Sequence, residues 1–209
     1  AGTHTFTTND NMIKNIEEVK VDTTSGSTVD LTNQTEGFKI TVGGQTDSVT
    51  GSDGNDIIVI TSAGDGNNDT LIGGSGDDVI NLSAGSHTFS DNAKLATIET
   101  INANASATTL DLTGQLEGFT IAGGAQGDNL TGGSGNDIIT GGGGDDTLKG
   151  GAGNDTLNVD SGSDIITLLG GAGAGGEDDV LVVSNGATAT AANIINFVAT
   201  TGTTNAGTA

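Results

Sequence analysis

A nine-residue frame recurs along the chain and constrains the possible folds more than any other feature. Three uninterrupted copies, from residue 132 to residue 158, read GGSGNDIIT, GGGGDDTLK and GGAGNDTLN. Ten frames in all occupy residues 42–50, 51–59, 64–72, 73–81, 123–131, 132–140, 141–149, 150–158, 159–167 and 174–182. A fixed period of this kind marks a repeat architecture, in which each unit buries its apolar side only by stacking on its neighbours.

Two positions of the frame are constant in chemical type. The sixth position is always Asp, at Asp47, Asp56, Asp69, Asp78, Asp128, Asp137, Asp146, Asp155, Asp164 and Asp179. The eighth is always aliphatic, at Val49, Ile58, Leu71, Ile80, Leu130, Ile139, Leu148, Leu157, Ile166 and Leu181. Paired glycines permit a tight reversal, and Asp-x-aliphatic-x then forms a short strand with its aliphatic side chain inward. Two frames therefore predict one coil of about 18 residues.

The composition shows why such a coil needs a metal. Gly accounts for 37 of the 209 residues and aromatic residues for 2%, so a thin core must offset a large loss of conformational entropy. Asp and Glu number 27 against 5 Lys and Arg, a net charge of −22. This charge excludes nucleic acid and anionic membrane surfaces as partners. The chain has no Cys, so thiolate metal sites are excluded as well, and no apolar run is long enough to insert in a membrane.

Stacked turns bring together exposed backbone carbonyls and the carboxylates of frames n and n+2. Hard oxygen ligands of this kind are those that Ca²⁺ prefers. The expected pairs are Asp47–Asp69, Asp56–Asp78, Asp128–Asp146, Asp137–Asp155, Asp146–Asp164 and Asp155–Asp179. About six calcium sites are expected, fewer if the insertions at 60–63 and 168–173 interrupt the stacking. The predicted fold is all-β: a right-handed parallel β-solenoid, of the β-roll or β-helix type, with calcium in the stacked turns.

A longer repeat encloses the short one. The phrase VDLTNQTEGFKI (29–40) returns as LDLTGQLEGFTI (110–121), and NIEEV (15–19) returns as TIETI (97–101). The segments outside the frames carry short Val, Ile, Leu, Thr and Phe runs between Gly, Asn, Asp and Ser. These runs are too closely spaced for crossover helices, so each is expected to form one rung of the same solenoid.

The two copies predict the organisation of the chain. Each module is a β-rich segment followed by a block of frames: 1–82 with its block at 42–81, then 83–182 with its block at 123–182. Residues 183–209 are expected to be the start of a third repeat, because NIINF (193–197) resembles the phrases above, or a C-terminal tail. A helical turn is expected, if anywhere, in residues 10–20 or 91–101.

The frame GGxGxD-x-aliphatic-x resembles the RTX (repeat-in-toxin) family of hemolysin-type calcium-binding nonapeptides. The resemblance implies that carbonyl oxygens of the second and fourth positions join the sixth-position Asp as ligands. The matching residues are Gly74, Gly76, Gly133, Gly135, Gly142, Gly144, Gly151 and Gly153. It also implies type I secretion from a Gram-negative bacterium and folding outside the cell, where calcium is millimolar. The phrases IETI, DLT and EGF-x-I are similar to those of RTX-containing bacterial surface-layer proteins.

Other chemistries fit the sequence less well. No frame carries the Lys-Ser/Thr of a phosphate-binding loop, and Asp65 opens an EF-hand-like run that lacks the sixth-position Gly and twelfth-position Glu. His4 and His87 occupy the same repeat position, which favours a structural role. A glycosidase or lyase usually has aromatic or basic substrate contacts, which are nearly absent here. We therefore expect that the protein is not an enzyme.

Three functional classes remain. The main expectation is a self-assembling structural protein of the cell surface, such as an S-layer, filament or matrix component. The nested duplication favours this class and also an adhesin stalk, because a secretion module needs no β-rich spacers. The alternatives are the calcium-folding module of a larger secreted toxin or enzyme, and an adhesin stalk. The expected partners are further copies of the chain, with cell-surface polysaccharide as a further candidate.

Overall fold

The computed structural model describes residues 3–5, 16–21, 26–63, 68–103, 106–168 and 179–191. The regular structure in these ranges is entirely β. The strands are β1 Thr3–Thr5, β2 Glu18–Lys20, β3 Thr28–Asp30, β4 Lys39–Val42, β5 Ser48–Thr50, β6 Ile57–Ile60, β7 Thr70–Ile72, β8 Val79–Asn81, β9 Gly85–Thr88, β10 Leu95–Ala96, β11 Thr100–Ala103, β12 Thr108–Asp111, β13 Thr120–Gly123, β14 Asn129–Thr131, β15 Ile138–Thr140, β16 Thr147–Lys149, β17 Thr156–Val159, β18 Ser163–Leu168, β19 Val180–Val183 and β20 Thr188–Ala191.

The strands form a parallel β-solenoid, as the frames predict. One wall is a nine-stranded sheet in the order β19-β17-β15-β13-β11-β8-β6-β4-β2. The other wall consists of a five-stranded sheet, β1-β3-β5-β7-β10, and a six-stranded sheet, β20-β18-β16-β14-β12-β9. Neighbours in each sheet come from successive coils and pair in parallel, for example Ile139 opposite Leu157. The nine-stranded sheet runs through both predicted modules, because β8 pairs with β11.

The core is a stack of aliphatic side chains between the two walls. All ten eighth-position residues of the frames are buried in it. The residue directly before each of them is more exposed, as in β15, where Ile139 is buried and Ile138 is exposed. This inward alternation confirms the predicted role of the eighth position.

The spacer segments continue the same solenoid. Strands β3 and β4 overlap the two ends of the phrase at 29–40, and β12 and β13 overlap the two ends of its copy at 110–121. The two phrases bury Phe38 and Phe119 directly before β4 and β13, where a frame would place its Asp. A coil with Phe at this point has a thicker core and one carboxylate fewer than a coil built only from frames.

Residues 91–101 contain no helix. Of the turn expected there, residues 91–94 form a single hydrogen-bonded turn, in which Lys94 N–H donates to Asp91 O at 2.9 Å. The residues after it form β10 and the start of β11, joined by a bend at Thr97, whose φ is 52°. Leu95 and Ile101 are drawn into the parallel ladders opposite Leu71 and Ile80, and burial in the core outweighs local helix preference. In the other stretch the described residues 18–20 form β2; residues 10–15, like the third-repeat phrase at 193–197, lie outside the described residues.

His87 lies in the core, where its ring Nε2 is 3.0 Å from the carbonyl oxygen of Ser83. Strand β9 pairs with β12, and His87 lies opposite Leu110, an aliphatic core residue. This placement agrees with the structural role expected for it. In the described part of the chain, no helix is long and apolar enough to span a membrane.

Phe119 offers a test of the spacer core. Phe119→Ala removes most of a fully buried aromatic side chain, so we expect a loss of about 3–5 kcal/mol in the free energy of unfolding. Leu116→Ala, in the same phrase, is the control, because Leu116 is 66% exposed and its loss should change stability by less than about 0.5 kcal/mol. Urea unfolding in saturating calcium measures both, and equal losses would contradict this account of the core.

Candidate calcium sites

The turns between strands stack into two columns, one on each side of the solenoid. Turns entering the nine-stranded sheet contain Asp56, Asp78, Asp137, Asp155 and Asp179, and turns leaving it contain Asp47, Asp69, Asp128, Asp146 and Asp164. Successive frames therefore place their acids alternately in the two columns. This is the arrangement expected if two frames make one coil.

Each of the six predicted Asp pairs is joined by a hydrogen bond. The backbone N–H of the earlier Asp donates to Oδ1 of the later Asp, one coil further along the chain. The N to Oδ1 distances are 2.7 Å for Asp47–Asp69 and Asp56–Asp78, 2.8 Å for Asp128–Asp146, Asp137–Asp155 and Asp146–Asp164, and 2.9 Å for Asp155–Asp179. The predicted stacking register is confirmed, while the role of these residues as metal ligands stays a prediction.

The insertions do not interrupt this ladder. Asp47 and Asp69 are 22 residues apart and Asp155 and Asp179 are 24 apart, whereas Asp128 and Asp146 are separated by 18. The frames that contain Asp47, Asp164 and Asp179 depart from the glycine pattern, yet all three acids take their places in the ladder. The number of pairs is therefore not reduced by the extra residues.

A second ladder at position five was missed from the sequence. Here a side chain accepts from the backbone of the next coil, so its bonds run opposite to those of the Asp ladder. The bonds are Asp77 N–H to Asn55 Oδ1 at 3.0 Å, Asn154 N–H to Asn136 Oδ1 at 2.8 Å, and Ser163 N–H to Asp145 Oδ1 at 2.8 Å. The recurrence of Asn or Asp at position five was the available signal. Together the two ladders satisfy backbone amides that would otherwise be left without a partner.

Glycine is required where one turn passes closely over the turn before it. Gly142 and Gly144 have φ values of 95° and 101°, and a Cβ on either would collide with the backbone of the preceding turn, at Gly124 and at Gln126. The predicted residues Gly74, Gly76, Gly151 and Gly153 share this left-handed conformation. Only glycine adopts it at little cost.

Gly133 and Gly135 do not share the positive φ of the other predicted glycines. They lie over residues 112–118, which form a spacer turn and not a frame, and they approach the backbone of Gln115 and Glu117. The conformation of a frame therefore depends on what lies beneath it.

The second carboxylate oxygen, Oδ2, has two kinds of environment. In Asp56, Asp128 and Asp137 it accepts the backbone N–H of the residue four positions earlier; the donors are Ser52 at 2.6 Å and Gly124 and Gly133 at 2.8 Å. In Asp78, Asp146 and Asp164 it is buried and accepts no hydrogen bond. The first three acids begin their columns in each block, and their turns lack positive-φ glycines.

The turn conformation explains this difference. In the frames of Asp78, Asp146 and Asp164, a glycine at position two or four has a positive φ. In the frame of Asp78 the amide at position two bonds elsewhere, because Gly74 N–H donates to Thr97 Oγ1 at 2.9 Å. The carboxylate oxygen is left without a donor, so these turns suit a positive charge at that point.

Burial without a cation makes these carboxylates hard to ionise. Desolvation, together with the charge of neighbouring acids, raises the pKa of Asp78 and of Asp146 to about 6. Burial also raises the pKa of Asp164, and no Lys is paired with any of these three acids. By contrast, hydrogen bonds from Lys39 and Lys20 lower the pKa of the exposed Glu18 to about 2. The acidic columns therefore contain buried negative charge that the described cations do not neutralise.

The donor set fits calcium. Among the described residues, no three His, Cys, Asp or Glu side chains converge as a metal cluster, so backbone carbonyls must complete any site, as Ca²⁺ permits. At Gly132 the absent Cβ leaves a space bordered by Asp137 Oδ2 and the carbonyl oxygen of Gly150 in the next coil. The sixth-position Asp residues, with carbonyls of stacked turns, would hold the ion. Bound calcium would supply the positive charge that these carboxylates lack.

A parallel β-solenoid with two columns of stacked glycine turns and buried acids defines a metal-binding repeat protein. A family model described as RTX calcium-binding nonapeptide repeat (4 copies) matches residues 39–59, 61–86, 120–148, 131–166 and 140–174. The chain belongs to this RTX family and contains a calcium-binding RTX module. No curated protein and no solved structure matches it.

Asp146 offers a test of the assignment of calcium sites to stacked Asp pairs. It belongs to two Asp pairs, whereas Asp47 belongs to one, so Asp146→Asn should weaken two calcium sites and Asp47→Asn only one. Asn retains an oxygen acceptor for the ladder while removing the charge. We expect each affected site to weaken on the order of tenfold, with the larger rise in the calcium midpoint for Asp146→Asn. Circular dichroism titration measures the midpoints, and equal midpoints would contradict the assignment of one calcium site to each stacked Asp pair.

The raised pKa values predict opposite effects of pH with and without calcium. Folded Asp78 and Asp146 have a pKa of about 6 against an ordinary value of 3.8, so between these values the folded chain binds more protons than the unfolded chain. Acidification from pH 7 to 5 should therefore stabilise the metal-free fold. In calcium it should raise the calcium midpoint, because protons compete for the carboxylates.

The measurement is the β-type circular dichroism signal of exhaustively decalcified protein and of calcium-loaded protein between pH 7 and 5. A metal-free signal that decreases on acidification would contradict the assigned role of these buried acids.

Proposed function

We propose that this protein is a non-enzymatic, calcium-dependent structural protein that self-assembles at the bacterial cell surface, as an S-layer, filament or matrix component. The observation that supports this most is the junction between the two modules. Strand β8 closes the first block, and β11 lies in the second module, where it is the counterpart of β2. The two pair in parallel, with Ile80 opposite Ile101, so the chain already contains one module-to-module contact.

The same contact can form between molecules. Leu181 in β19 is an eighth-position residue like Ile80, and Val19 in β2 corresponds to Ile101. Within the described residues, β19 and β2 each have a sheet neighbour on one side only. Pairing of β19 with β2 of a second copy would repeat the β8–β11 contact head to tail. Such a heterologous contact does not close on itself, so it propagates into a fibre or sheet.

The proposed location is the extracellular surface of a Gram-negative bacterium. RTX repeats are typical of proteins secreted by such bacteria. Calcium outside the cell is abundant enough to fill low-affinity sites, and its charge would reduce repulsion between chains of net charge −22. We propose about six bound ions, one for each stacked Asp pair. Calcium would then both fold the coils and permit their association.

A non-enzymatic role is supported by the chemistry of the described side chains. His87 is fully buried in the core and therefore has no access to a substrate. The buried acids point into stacked turns, where their oxygens accept backbone hydrogen bonds or remain available to a metal. These positions suit calcium and not acid–base catalysis on an external substrate.

The alternative proposal is that the chain is the calcium-folding module of a larger type I-secreted toxin, enzyme or adhesin. The RTX repeats themselves support this possibility equally well, because such modules accompany catalytic domains in many proteins. The two proposals differ in what calcium does: in the alternative it folds a monomer and builds no polymer.

The edge strand β2 permits a specific test of assembly. Val21 N–H donates to Thr41 O at 2.9 Å, and Glu17 O accepts from Lys39 N–H at 3.3 Å. Because bonding directions alternate along a strand, the N–H of Lys20 points away from β4, toward an incoming chain. Lys20→Pro should remove this donor without losing a bond to β4, since proline is tolerated at edges.

Lys20→Ala is the matched control, because it removes the same charge and the ion pair with Glu18 but retains the amide. We expect light scattering and electron microscopy to show calcium-dependent polymers for the wild-type chain and for Lys20→Ala, and folded monomers for Lys20→Pro. A wild-type chain that folds in calcium yet stays monomeric at high concentration would contradict self-assembly and favour the alternative.

A further inference from the structure

The turn from β10 to β11 ends the first calcium block in an unusual way. It lies directly over the frame 73–81, since Gly73 N–H donates to Ala96 O at 3.0 Å. Only three residues, Thr97, Ile98 and Glu99, connect β10 to β11, whereas six residues connect β7 to β8 in the frame beneath. This turn contains no glycine and does not follow the nonapeptide pattern, so a metal site was not predictable here from the motif.

Glu99 nevertheless occupies the place of a sixth-position Asp. It directly precedes β11, as Asp78 precedes β8, and the two strands pair. Its Oε2 accepts the backbone N–H of Asp78 at 2.6 Å, the bond that Asp155 Oδ1 makes to Asp137. The extra methylene of Glu lets a carboxylate on this shorter turn reach the ladder.

Thr97 supplies the carbonyl that a frame would supply. A Cβ on Gly73 would collide with both Thr97 O and Asp78 Oδ2, so the two oxygens border one small space. At Gly132 the corresponding oxygens are Gly150 O and Asp137 Oδ2. The short turn therefore presents a carbonyl oxygen in the same position as an RTX frame does.

The conformation of Thr97 is costly and is held in place. Its φ of 52° is the sole positive value of a non-glycine residue in the described ranges, and a β-branched residue is a clear outlier there. Its N–H donates to Glu117 Oε2 at 3.0 Å, and its Oγ1 accepts from Gly74 N–H at 2.9 Å. Such strain persists where surrounding contacts impose it, often at a binding site.

The environment of Asp78 indicates the kind of ligand. Its side chain is fully buried, and its Oδ2 has no hydrogen-bond partner. It faces the Thr97 carbonyl across the space at Gly73, beside the Glu99 carboxylate, and neither Asp78 nor Glu99 has an ion pair with a Lys of the described ranges. An uncompensated buried carboxylate next to a second acid and an open carbonyl calls for a cation with oxygen ligands.

We propose that this junction holds a calcium ion in addition to those between stacked Asp pairs. Its ligands are the carboxylates of Asp78 and Glu99 and the carbonyl oxygen of Thr97, and Glu117 is a positioning residue that orients Thr97. The ion lies where β8 meets β11, so it ties the second module to the first. The proposal rests on calcium binding by the RTX block and not on self-assembly.

The test compares Glu99→Gln with Glu17→Gln in the full chain. Gln retains an oxygen to accept the Asp78 N–H but loses the charge, so the ladder is expected to persist. Glu17 is the matched control: it is the counterpart of Glu99 in the repeated phrase NIEEV and is exposed like Glu99, but it precedes the first frame of the chain. Equilibrium dialysis against CaCl₂ followed by elemental analysis counts the bound ions.

We expect Glu99→Gln to bind about one ion fewer than the wild type, and Glu17→Gln to bind the full number. Equal ion counts for the two variants would overturn the junction site while leaving the RTX sites intact. A wild-type chain that binds no calcium would instead contradict the calcium assignment as a whole. Light scattering plays no part in this readout, so a failure of self-assembly leaves the result unaffected.

A crystal structure of the wild-type chain grown in calcium tests the site without relying on a variant that folds. We expect an ion within about 2.3–2.6 Å of Asp78 Oδ2, Thr97 O and a Glu99 carboxylate oxygen. Calcium in the RTX turns with none at this junction would refute the proposal.

Discussion

The solenoid depends on the hydrogen bond from a backbone amide at position six to the carboxylate of the next coil. Each such bond fixes the spacing and register of two coils at once, because the acceptor directly precedes a strand that pairs with the strand beneath it. It also brings a negative charge into a buried turn at every frame. A bond to a charged acceptor is stronger than one between neutral groups, but the charge must then be compensated. Stacking and metal binding are therefore two consequences of one side chain.

The two oxygens of each carboxylate have different roles. Oδ1 binds the coil before, as in Asp146 and Asp128. Oδ2 either accepts an amide of its own turn, as in Asp137, or remains without a donor, as in Asp146. Among the acids compared, Oδ2 lacks a donor where the turn has a positive-φ glycine, and at Asp78 the nearby Gly74 amide bonds to Thr97 instead. Glycine thus contributes to the candidate metal site in two ways. Its amide does not bond to the carboxylate, and its lack of a Cβ leaves room for a carbonyl.

Much of the fold was predictable from the sequence, because the nonapeptide has one Asp and one aliphatic residue at fixed positions. The parallel strands, the inward Ile139 and Leu157, and the pairing of Asp137 with Asp155 all follow from the period alone. The ladder through Asn136 and Asn154 was not predicted, since either Asn could equally have faced solvent. Glu99 was missed because its turn has no glycine. Its contact to Asp78 also spans 21 residues, a separation that none of the six Asp pairs has.

The spacers show how a repeat with identical contacts can still have defined blocks. Phe38 and Phe119 give their amides to the ladder, at Asp56 and Asp137, but contribute no carboxylate of their own. Each phrase therefore continues the hydrogen bonds while it interrupts the column of acids, and it buries an aromatic side chain where a frame has a carboxylate. Coils that fold through apolar burial alternate with coils that require charge compensation. A cation at Glu99 would lie at the boundary between these two regimes, where the last acid of a calcium block meets the first spacer coil.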